Sequence, residues 1–368
     1  MNIAFTNGKI FTGTSMIDNK SLLIKNGHVK GIFNPNQISE YTQIVDCANC
    51  IIAPGFIDLQ IYGGGGYLFS NEPSALALAE MTESIIRSGT CKFLVTLATN
   101  SMEIFLKAIK IIKENPHPAV MGLHLEGPFI NPLKKGAHLS RFIVKPEKKQ
   151  VKELLKDADG VIKMMTLAPE MCDPEIIQLL QDEGVVVSAG HSNANFEEAT
   201  CGFANGITAT THLFNAMSSF HHRDTGLPGA AFLSEKVYAS IIADGIHVDF
   251  NTLRMSKKLM GDHLFLITDA VEENLKGDYI HLKQKDRFVL PDGTLSGSRL
   301  TLLLAVKNCV ENAGILLEEA LRMASLYPAR IIGDANLGLI APGMKVNLSV
   351  FDQNFDIKYT MIDDKLYT

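Results

Sequence analysis

Two fold classes can be distinguished by one segment, Ile57-Asp58-Leu59-Gln60-Ile61-Tyr62-Gly63-Gly64-Gly65-Gly66. Its first six residues alternate as in a strand, so that Asp58, Gln60 and Tyr62 share one face. Such polar groups are costly on a buried strand unless they face a site. The glycines could form the phosphate-binding turn of a doubly wound sheet, but they lack its G-x-G-x-x-G spacing, and no acidic residue follows at the expected distance. The segment therefore favours the other class, a barrel.

The middle of the chain supports the barrel. Short apolar runs alternate there with helical patterns, several of which end in a glycine. Eight strand–helix alternations are typical of a (β/α)8 TIM-type barrel, an α/β fold. The predicted strands are 51–62, 91–98, 120–125, 161–167, 185–189, 207–212, 238–243 and 264–268, and the predicted helices include 74–87, 104–113, 147–155, 174–181 and 196–204.

The two ends of the chain differ from the middle. Asn7-Gly8 and Asn26-Gly27 lie between short alternating segments and predict hairpins. Alternating segments recur near the C-terminus, which suggests that both ends build one small β-sandwich domain. The expected division is 1–52 with 340–368 for that domain and 53–339 for the barrel.

The composition excludes several function classes. The chain has 368 residues, 46% of them hydrophobic, which is enough for one large core. The net charge is −6 and basic residues are scattered, so we expect no nucleic-acid or membrane-surface partner. No signal-like or membrane-spanning run occurs, and a cytoplasmic location is the default expectation. Six cysteines are too sparse for a disulfide scaffold, and the pair Cys47 and Cys50 lacks the second pair that completes a structural zinc site.

Ionisable residues fall where predicted strands end, which is where barrel active sites lie. Glu126, His191 and His212 could bind a divalent ion such as zinc and leave a coordination position for water, whose pKa such an ion lowers to roughly 7. Asp269 could take the proton of that water and return it to a leaving amine. This set predicts amide hydrolysis. His124 faces the same side as Glu126 and is a competing ligand.

Each of these residues also has a structural alternative. Asp269 or Glu126 could instead cap the segment that follows it, because acidic side chains accept backbone N–H bonds at helix starts. A single histidine at a strand end is more often a packing residue than a ligand. The joint occurrence of carboxylates and imidazoles at several strand ends favours the site.

Seven motifs follow one another along the chain. They are Pro54 to Asp58 (PGFID), His124 to Phe129 (HLEGPF), Lys134 to His138 (KKGAH), Gly190 to Ala194 (GHSNA), Thr211 to Met217 (THLFNAM), Ala243 to His247 (ADGIH) and Thr268 to Ala270 (TDA). In order and spacing this set resembles the amidohydrolase superfamily and, within it, the N-acetylglucosamine-6-phosphate deacetylase family. The likeness extends from the first hairpins to the last strands.

The resemblance implies a site with one divalent metal ion per subunit. Glu126, His191 and His212 match the metal ligands of the family. Asp269 matches its catalytic acid and base, and His247 is expected to polarise the amide carbonyl with the metal. Zinc is the first choice of ion, with iron, cobalt and manganese as alternatives.

The resemblance also implies the substrate and the assembly. The expected reaction is hydrolysis of N-acetylglucosamine 6-phosphate to glucosamine 6-phosphate and acetate, in amino-sugar catabolism. A homodimer is expected, in which Arg223 crosses the interface to the substrate phosphate, as a bidentate guanidinium can. The substrate-binding positions that carry over are Ala137, His138, Asn215, Ala216, Arg223, His247, Leu295, Ser296 and Gly297.

The sequence departs from the family pattern at the first strand. Many barrel amidohydrolases carry His-x-His there, which binds a second metal ion, whereas this chain has Gln60 and Tyr62. An amide and a phenol are poor zinc ligands, so one metal ion is expected. The glycine run is then expected to be slack backbone beside the barrel mouth. The segment 271–277, after Asp269, is also shorter and more acidic than usual.

Two other functions remain alternatives at this stage. The chain could be another metal-dependent deacylase or a cyclic amidase of the same superfamily. It could instead be a metal-free protein that binds a sugar phosphate.

Overall fold

A computed structural model describes residues 2–38 and 43–368. The predicted domain range 1–52 therefore includes five residues, 1 and 39–42, that lie outside the described part. In chain order the strands are β1 (Asn2–Thr6), β2 (Lys9–Phe11), β3 (Met16–Ile17), β4 (Ser21–Lys25), β5 (His28–Phe33), β6 (Gln43–Asp46), β7 (Cys50–Pro54), β8 (Phe56–Ile61), β9 (Gly63–Gly64), β10 (Tyr67–Leu68), β11 (Thr90–Ala98), β12 (Val120–Glu126), β13 (Ile162–Leu167), β14 (Val186–Ala189), β15 (Ala209–Thr210), β16 (Tyr238–Ile242), β17 (Leu264–Ile267), β18 (Leu282–Lys283), β19 (Phe288–Val289), β20 (Asn347–Asp352), β21 (Ile357–Ile362) and β22 (Lys365–Tyr367).

The helices follow the strands of the middle segment. They are α1 (Ala75–Arg87), α2 (Met102–Glu114), α3 (Lys148–Ala158), α4 (Pro174–Asp182), α5 (Phe196–Ala204), α6 (Gly226–Leu233), α7 (Phe250–Met260), α8 (Leu302–Glu311), α9 (Leu317–Ala324) and α10 (Leu326–Ile331). None of the helices in the described ranges has both the length and the apolar character to cross a bilayer.

An eight-stranded parallel sheet forms the barrel, with the strand order β17-β16-β15-β14-β13-β12-β11-β8. A parallel bridge between Ile61 and Ala270 links its first and last strands at their carboxyl ends. There the Tyr62 N–H donates to the Ala270 carbonyl at 2.9 Å, and the Asp269 N–H donates to the Gln60 carbonyl at 2.9 Å. The predicted TIM-type fold is confirmed, and this closure brings the first and eighth strand ends together.

Helix starts lie close to the predicted ones, and side-chain caps stabilise two of them. The Ser74 hydroxyl accepts the Ala77 N–H at 3.1 Å at the start of α1. Asn195 and Glu198 form a reciprocal capping box at the start of α5, with both hydrogen bonds at 2.9 Å. The predicted helix at 196–204 matches α5 residue for residue.

The first predicted strand, 51–62, is wrong as a single element. The chain changes sheets at Gly55: β7 pairs with β2 and β20 in a six-stranded sheet, whereas β8 pairs with β11 in the barrel. A Cβ on Gly55 would lie 2.4 Å from the Cys91 sulfur, so only glycine allows this close crossing. Both β7 and β8 are buried, so apolar residues continue through the crossing at Gly55. The sequence therefore does not show where β7 ends and β8 begins.

Both chain ends contribute to the small β layers. A four-stranded sheet (β5-β4-β1-β6) and a six-stranded sheet (β22-β21-β20-β7-β2-β3) share one apolar core that includes Phe5, Ile10 and Val350. The Asn26-Gly27 hairpin is confirmed, since β4 and β5 pair directly. The Asn7-Gly8 hairpin is wrong: β1 and β2 belong to different sheets, and the turn carries the chain from one to the other.

The four-glycine run is a tight hairpin and not slack backbone. Gly63 and Gly64 form β9, which pairs with β10. An added Cβ on Gly63 would lie 2.6 Å from the Tyr67 carbonyl oxygen, and one on Gly65, which has a φ of 62°, would lie 2.7 Å from the Glu80 carbonyl oxygen. The glycines are therefore needed for close backbone packing beside the barrel mouth.

Candidate active site

A cavity of about 260 Å³ opens at the carboxyl end of the barrel. This is the end where (β/α)8 enzymes carry their active sites. The cavity is lined by Tyr62, Leu68, Ser70, Ala98, Glu126, Gly136, Ala137, His138, His191, His212, Asn215, Ala216, Ile242, His247, Asp269, Val271, Tyr279, His281, Thr294, Leu295, Ser296 and Gly297.

Three side chains converge at the base of the cavity. Glu126 is the last residue of β12, and His191 and His212 follow the ends of β14 and β15. The Glu126 Oε1 atom lies 2.9 Å from His212 Nε2 and 3.2 Å from His191 Nε2, and the two nitrogens are 3.2 Å apart. One ligand atom from each residue lies within 4.8 Å of the others. All three side chains are buried, so the cluster has the size and the N,N,O donors of a site for a borderline divalent ion.

A backbone carbonyl fixes the orientation of His191, whereas the Nδ1 atom of His212 has no hydrogen-bond partner. The His191 Nδ1–H donates to the Lys134 carbonyl at 2.8 Å, which leaves the Nε2 lone pair directed at Glu126. Burial alone would raise the pKa of Glu126, but the neighbouring His191 and His138 hold it well below its usual range. Glu126 is therefore a carboxylate at neutral pH.

His124 does not belong to the cluster. Its Nδ1 lies 2.9 Å from the Leu59 carbonyl oxygen and its Nε2 lies 2.8 Å from the Thr166 hydroxyl. Burial lowers the pKa of His124 to about 4, so the ring is neutral. Both ring nitrogens of His124 are engaged in hydrogen bonds outside the cluster. The geometry therefore favours His191 and His212 as ligands over His124.

Asp269 lies beside the cluster, just after β17. The Gln60 side-chain amide donates to Asp269 Oδ1 at 2.8 Å and to Glu126 Oε1 at 3.0 Å. Burial, followed by the Glu126 charge, raises the pKa of Asp269 well above its usual range. A carboxyl group with such an affinity for a proton suits general acid–base catalysis.

His247 also lines the cavity and lies in the loop after β16. Its Nδ1–H donates to Asp244 Oδ2 at 2.6 Å. Burial would raise the pKa of Asp244, but the hydrogen bond from His247 lowers it overall. Asp244 thus stays ionised and fixes the His247 tautomer, a role that our sequence reasoning did not assign.

The first-strand residues meet the same cluster. Gln60 contacts both carboxylates, and the Tyr62 hydroxyl donates to Glu126 Oε2. Burial, followed by the charges of Glu126 and Asp269, raises the pKa of Tyr62 well above its usual range, so the phenol keeps its proton. Asp58 lies below them and accepts a hydrogen bond from the Thr268 hydroxyl at 2.5 Å.

The predicted substrate positions divide into two groups. Arg223 is exposed, does not line the cavity, and has its Nε 3.2 Å from His222 Nε2. The others all line the cavity: Ala137, His138, Asn215, Ala216, His247, Leu295, Ser296 and Gly297.

Two residues that line the cavity, in the loop between the segment 271–277 and Ser296, were not predicted from the sequence. Tyr279 donates its hydroxyl to the Thr99 carbonyl, and His281 Nδ1 lies 2.9 Å from the Ser296 hydroxyl. Their two-residue spacing, which places both on one face of an extended segment, was the available signal. The loop 278–296 therefore contributes part of the cavity wall.

Comparison with known proteins gives the same family over nearly the whole chain. The model of the amidohydrolase family matches residues 51–367. A protein of Haemophilus influenzae named N-acetylglucosamine-6-phosphate deacetylase is 34% identical, with 99% of this chain and 99% of that protein covered.

Solved structures agree with this result. The crystal structure of N-acetylglucosamine-6-phosphate deacetylase from Pasteurella multocida superposes with a TM-score of 0.96 at 33% identity and covers 100% of both chains. A mutant of N-acetyl-D-glucosamine-6-phosphate deacetylase from Mycobacterium smegmatis, in complex with N-acetyl-D-glucosamine 6-phosphate, gives a TM-score of 0.91 at 25% identity and covers 99% of both chains.

Proposed function

This chain belongs to the amidohydrolase family, and we propose that it hydrolyses N-acetylglucosamine 6-phosphate to glucosamine 6-phosphate and acetate, as a step of amino-sugar catabolism. The observation that carries the proposal is the convergence of Glu126, His191 and His212 next to Asp269 in one cavity. Two imidazoles, a ligating carboxylate and a second carboxyl group form the minimal set for metal-assisted amide hydrolysis.

The family is metal-dependent, and the donor atoms fit a divalent cation. Three lone-pair atoms point at one another in a buried space, an arrangement that a bound cation stabilises. We propose Glu126, His191 and His212 as the ligands and zinc as the ion, with iron, cobalt and manganese as the competing outcomes of a metal analysis. When bound, the ion supplies Lewis acidity toward water and the amide carbonyl.

The remaining steps fall to side chains of the chain itself. Asp269 would take the proton of the attacking water and deliver it to the nitrogen of the departing amine. His247, held by Asp244, would orient and polarise the acetyl carbonyl. Gln60 keeps the Asp269 carboxyl group in place through the 2.8 Å hydrogen bond.

The sugar phosphate needs a cation that the cavity of one chain does not contain. Among the described residues that line it there is no lysine and no arginine. We therefore propose a homodimer in which Arg223 of one subunit reaches the cavity of the other, which agrees with its exposed position. The remaining substrate contacts would come from the lining residues 137–138, 215–216 and 295–297.

Acetate release from N-acetylglucosamine 6-phosphate, measured with and without a chelator, tests the proposal. We expect turnover that the chelator abolishes and that added zinc, iron or cobalt restores. Equal turnover of unphosphorylated N-acetylglucosamine would contradict the sugar-phosphate assignment and favour another deacylase. Absence of turnover, together with no bound transition metal, would favour a metal-free binding protein.

A further inference from the structure

The two oxygens of the Glu126 carboxylate have different partners. Oε2 accepts a hydrogen bond from the Tyr62 hydroxyl and another, at 2.9 Å, from the His138 Nε2–H. Oε1 faces the Nε2 atoms of His191 and His212, at 3.2 and 2.9 Å. Oε2 is therefore held by Tyr62 and His138, whereas Oε1, which also accepts from the Gln60 amide at 3.0 Å, is directed at the two imidazoles.

The donors to Oε2 are themselves fixed. His138 Nδ1 accepts the Thr99 N–H at 3.2 Å and lies 2.7 Å from the Thr99 hydroxyl, so the Nε2–H is the one left to point at Glu126. Tyr62 and His138 have relative exposures of only 6% and 4%. Water therefore competes little for the hydrogen bonds to Oε2.

Gln60 connects this arrangement to the proton-carrying carboxyl group. Its side-chain nitrogen lies 3.1 Å from the Tyr62 oxygen, 3.0 Å from Glu126 Oε1 and 2.8 Å from Asp269 Oδ1. An amide has two protons for these three acceptors. The two shorter contacts take both protons, so the phenol lies beside the amide and directs its own proton at Glu126 Oε2.

We propose that Tyr62 is a positioning residue of the metal centre, which with His138 holds Glu126 Oε2 so that the ion binds through Oε1 alone. This inference rests on the metal site of the proposed function. A carboxylate can bind a metal ion through one or both oxygens, and occupying the second oxygen keeps a coordination position open for water and the amide carbonyl. A phenol is a poor ligand for zinc but a suitable donor to the ligand beside it.

The variant Tyr62→Phe keeps the ring and removes only the donor. Hydrogen-bonding partners of metal ligands typically contribute 10- to 100-fold to metal affinity. We expect zinc affinity, measured by competition with a chromophoric chelator, to fall at least about tenfold in Tyr62→Phe. Tyr238→Phe, whose half-buried ring packs against His263 at the amino end of the barrel, is the control and should bind zinc like the wild type.

The outcomes separate this inference from the proposed function. If the wild type binds no zinc, the proposed metal site of Glu126, His191 and His212 is contradicted. If the wild type binds zinc and a folded Tyr62→Phe binds it equally well, only the role of Tyr62 is overturned. A crystal structure of the zinc-loaded wild type gives a second test that needs no variant: we expect one Glu126 oxygen on the ion, and binding through both would overturn the inference.

Discussion

Replacing Asp269 by asparagine tests the proposed proton transfer most directly. Asparagine has nearly the same shape, and its carbonyl oxygen can accept the 2.8 Å hydrogen bond that Gln60 now donates to Asp269 Oδ1. The Glu126 cluster should therefore remain intact. What the variant loses is the ability to take and return a proton.

The size of the effect follows from the lack of a substitute base. Glu126 and Asp269 are the only carboxylates among the described residues that line the cavity, and Glu126 is assigned to the metal. His138 and His247 have nitrogens engaged with Thr99 and Asp244. General acid–base catalysis typically contributes 10²- to 10⁴-fold, and we expect the upper part of this range, about 1,000-fold or more in kcat, or roughly 4 kcal/mol.

The assay is the initial rate of acetate release at saturating substrate, with the metal content measured in each preparation. Asp249→Asn is the matched control, since Asp249 is exposed and accepts the Asn251 N–H at 2.8 Å at the start of α7, a contact that asparagine can keep. The control should retain normal kcat. If Asp269→Asn holds a full complement of metal and keeps kcat within tenfold of the wild type, Asp269 is not the proton carrier.

Three further changes test other parts of the site. Arg223→Ala should raise KM for the phosphorylated substrate with little change in kcat, and an unchanged KM would place the phosphate elsewhere. His281→Phe, which removes the hydrogen bond to the Ser296 hydroxyl, should raise KM about three- to tenfold in the same assay; an unchanged KM would exclude a role of His281 in substrate binding. Burial raises the pKa of Asp58 from 3.8 to about 7. The contribution of protonated Asp58 to the free energy of unfolding is therefore complete below pH 3.8 and is lost as the pH rises to about 7. Asp58→Asn should remove this fall in stability with pH from thermal unfolding measured between pH 4 and 7. An unchanged pH dependence would contradict the raised pKa of Asp58.

The parts of the fold that the sequence predicted depend on local signals. Ser74 and Asn195 mark helix starts because their side chains bond to backbone N–H groups within the same turn. The convergence of the site could also be predicted, because the carboxyl ends of parallel strands meet at one end of a barrel. Glu126 and Asp269 are far apart in the chain, and the topology brings them within reach of the same Gln60 amide.

The errors have a common cause, which is that partner choice is not a local property. Asn7-Gly8 has the composition of a hairpin turn, yet β1 pairs with β4 and β6 while β2 pairs with β3 and β7. The crossing at Gly55 is hidden because the strands on both sides of it are buried. Tyr279 and His281 were missed because they lie in a loop, where a single two-residue spacing is too short a pattern to show which way a side chain points.

The backbone at the site shows why motifs alone do not build it. His191, His212 and Asp269 have φ values of 47°, 36° and 54°, a left-handed conformation that costs residues other than glycine about 1–3 kcal/mol each. The barrel maintains it through bonds from other strands: the His212 N–H donates to the Ser240 hydroxyl at 2.8 Å, and the Asp269 N–H donates to the Gln60 carbonyl at 2.9 Å. The His212 bond joins neighbouring strands, whereas the Asp269 bond joins the eighth strand to the first, so the direction of the Asp269 side chain depends on closure of the barrel. The same strand that closes the barrel at Gln60 also holds Asp269 in place, so fold and site are stabilised by the same contacts.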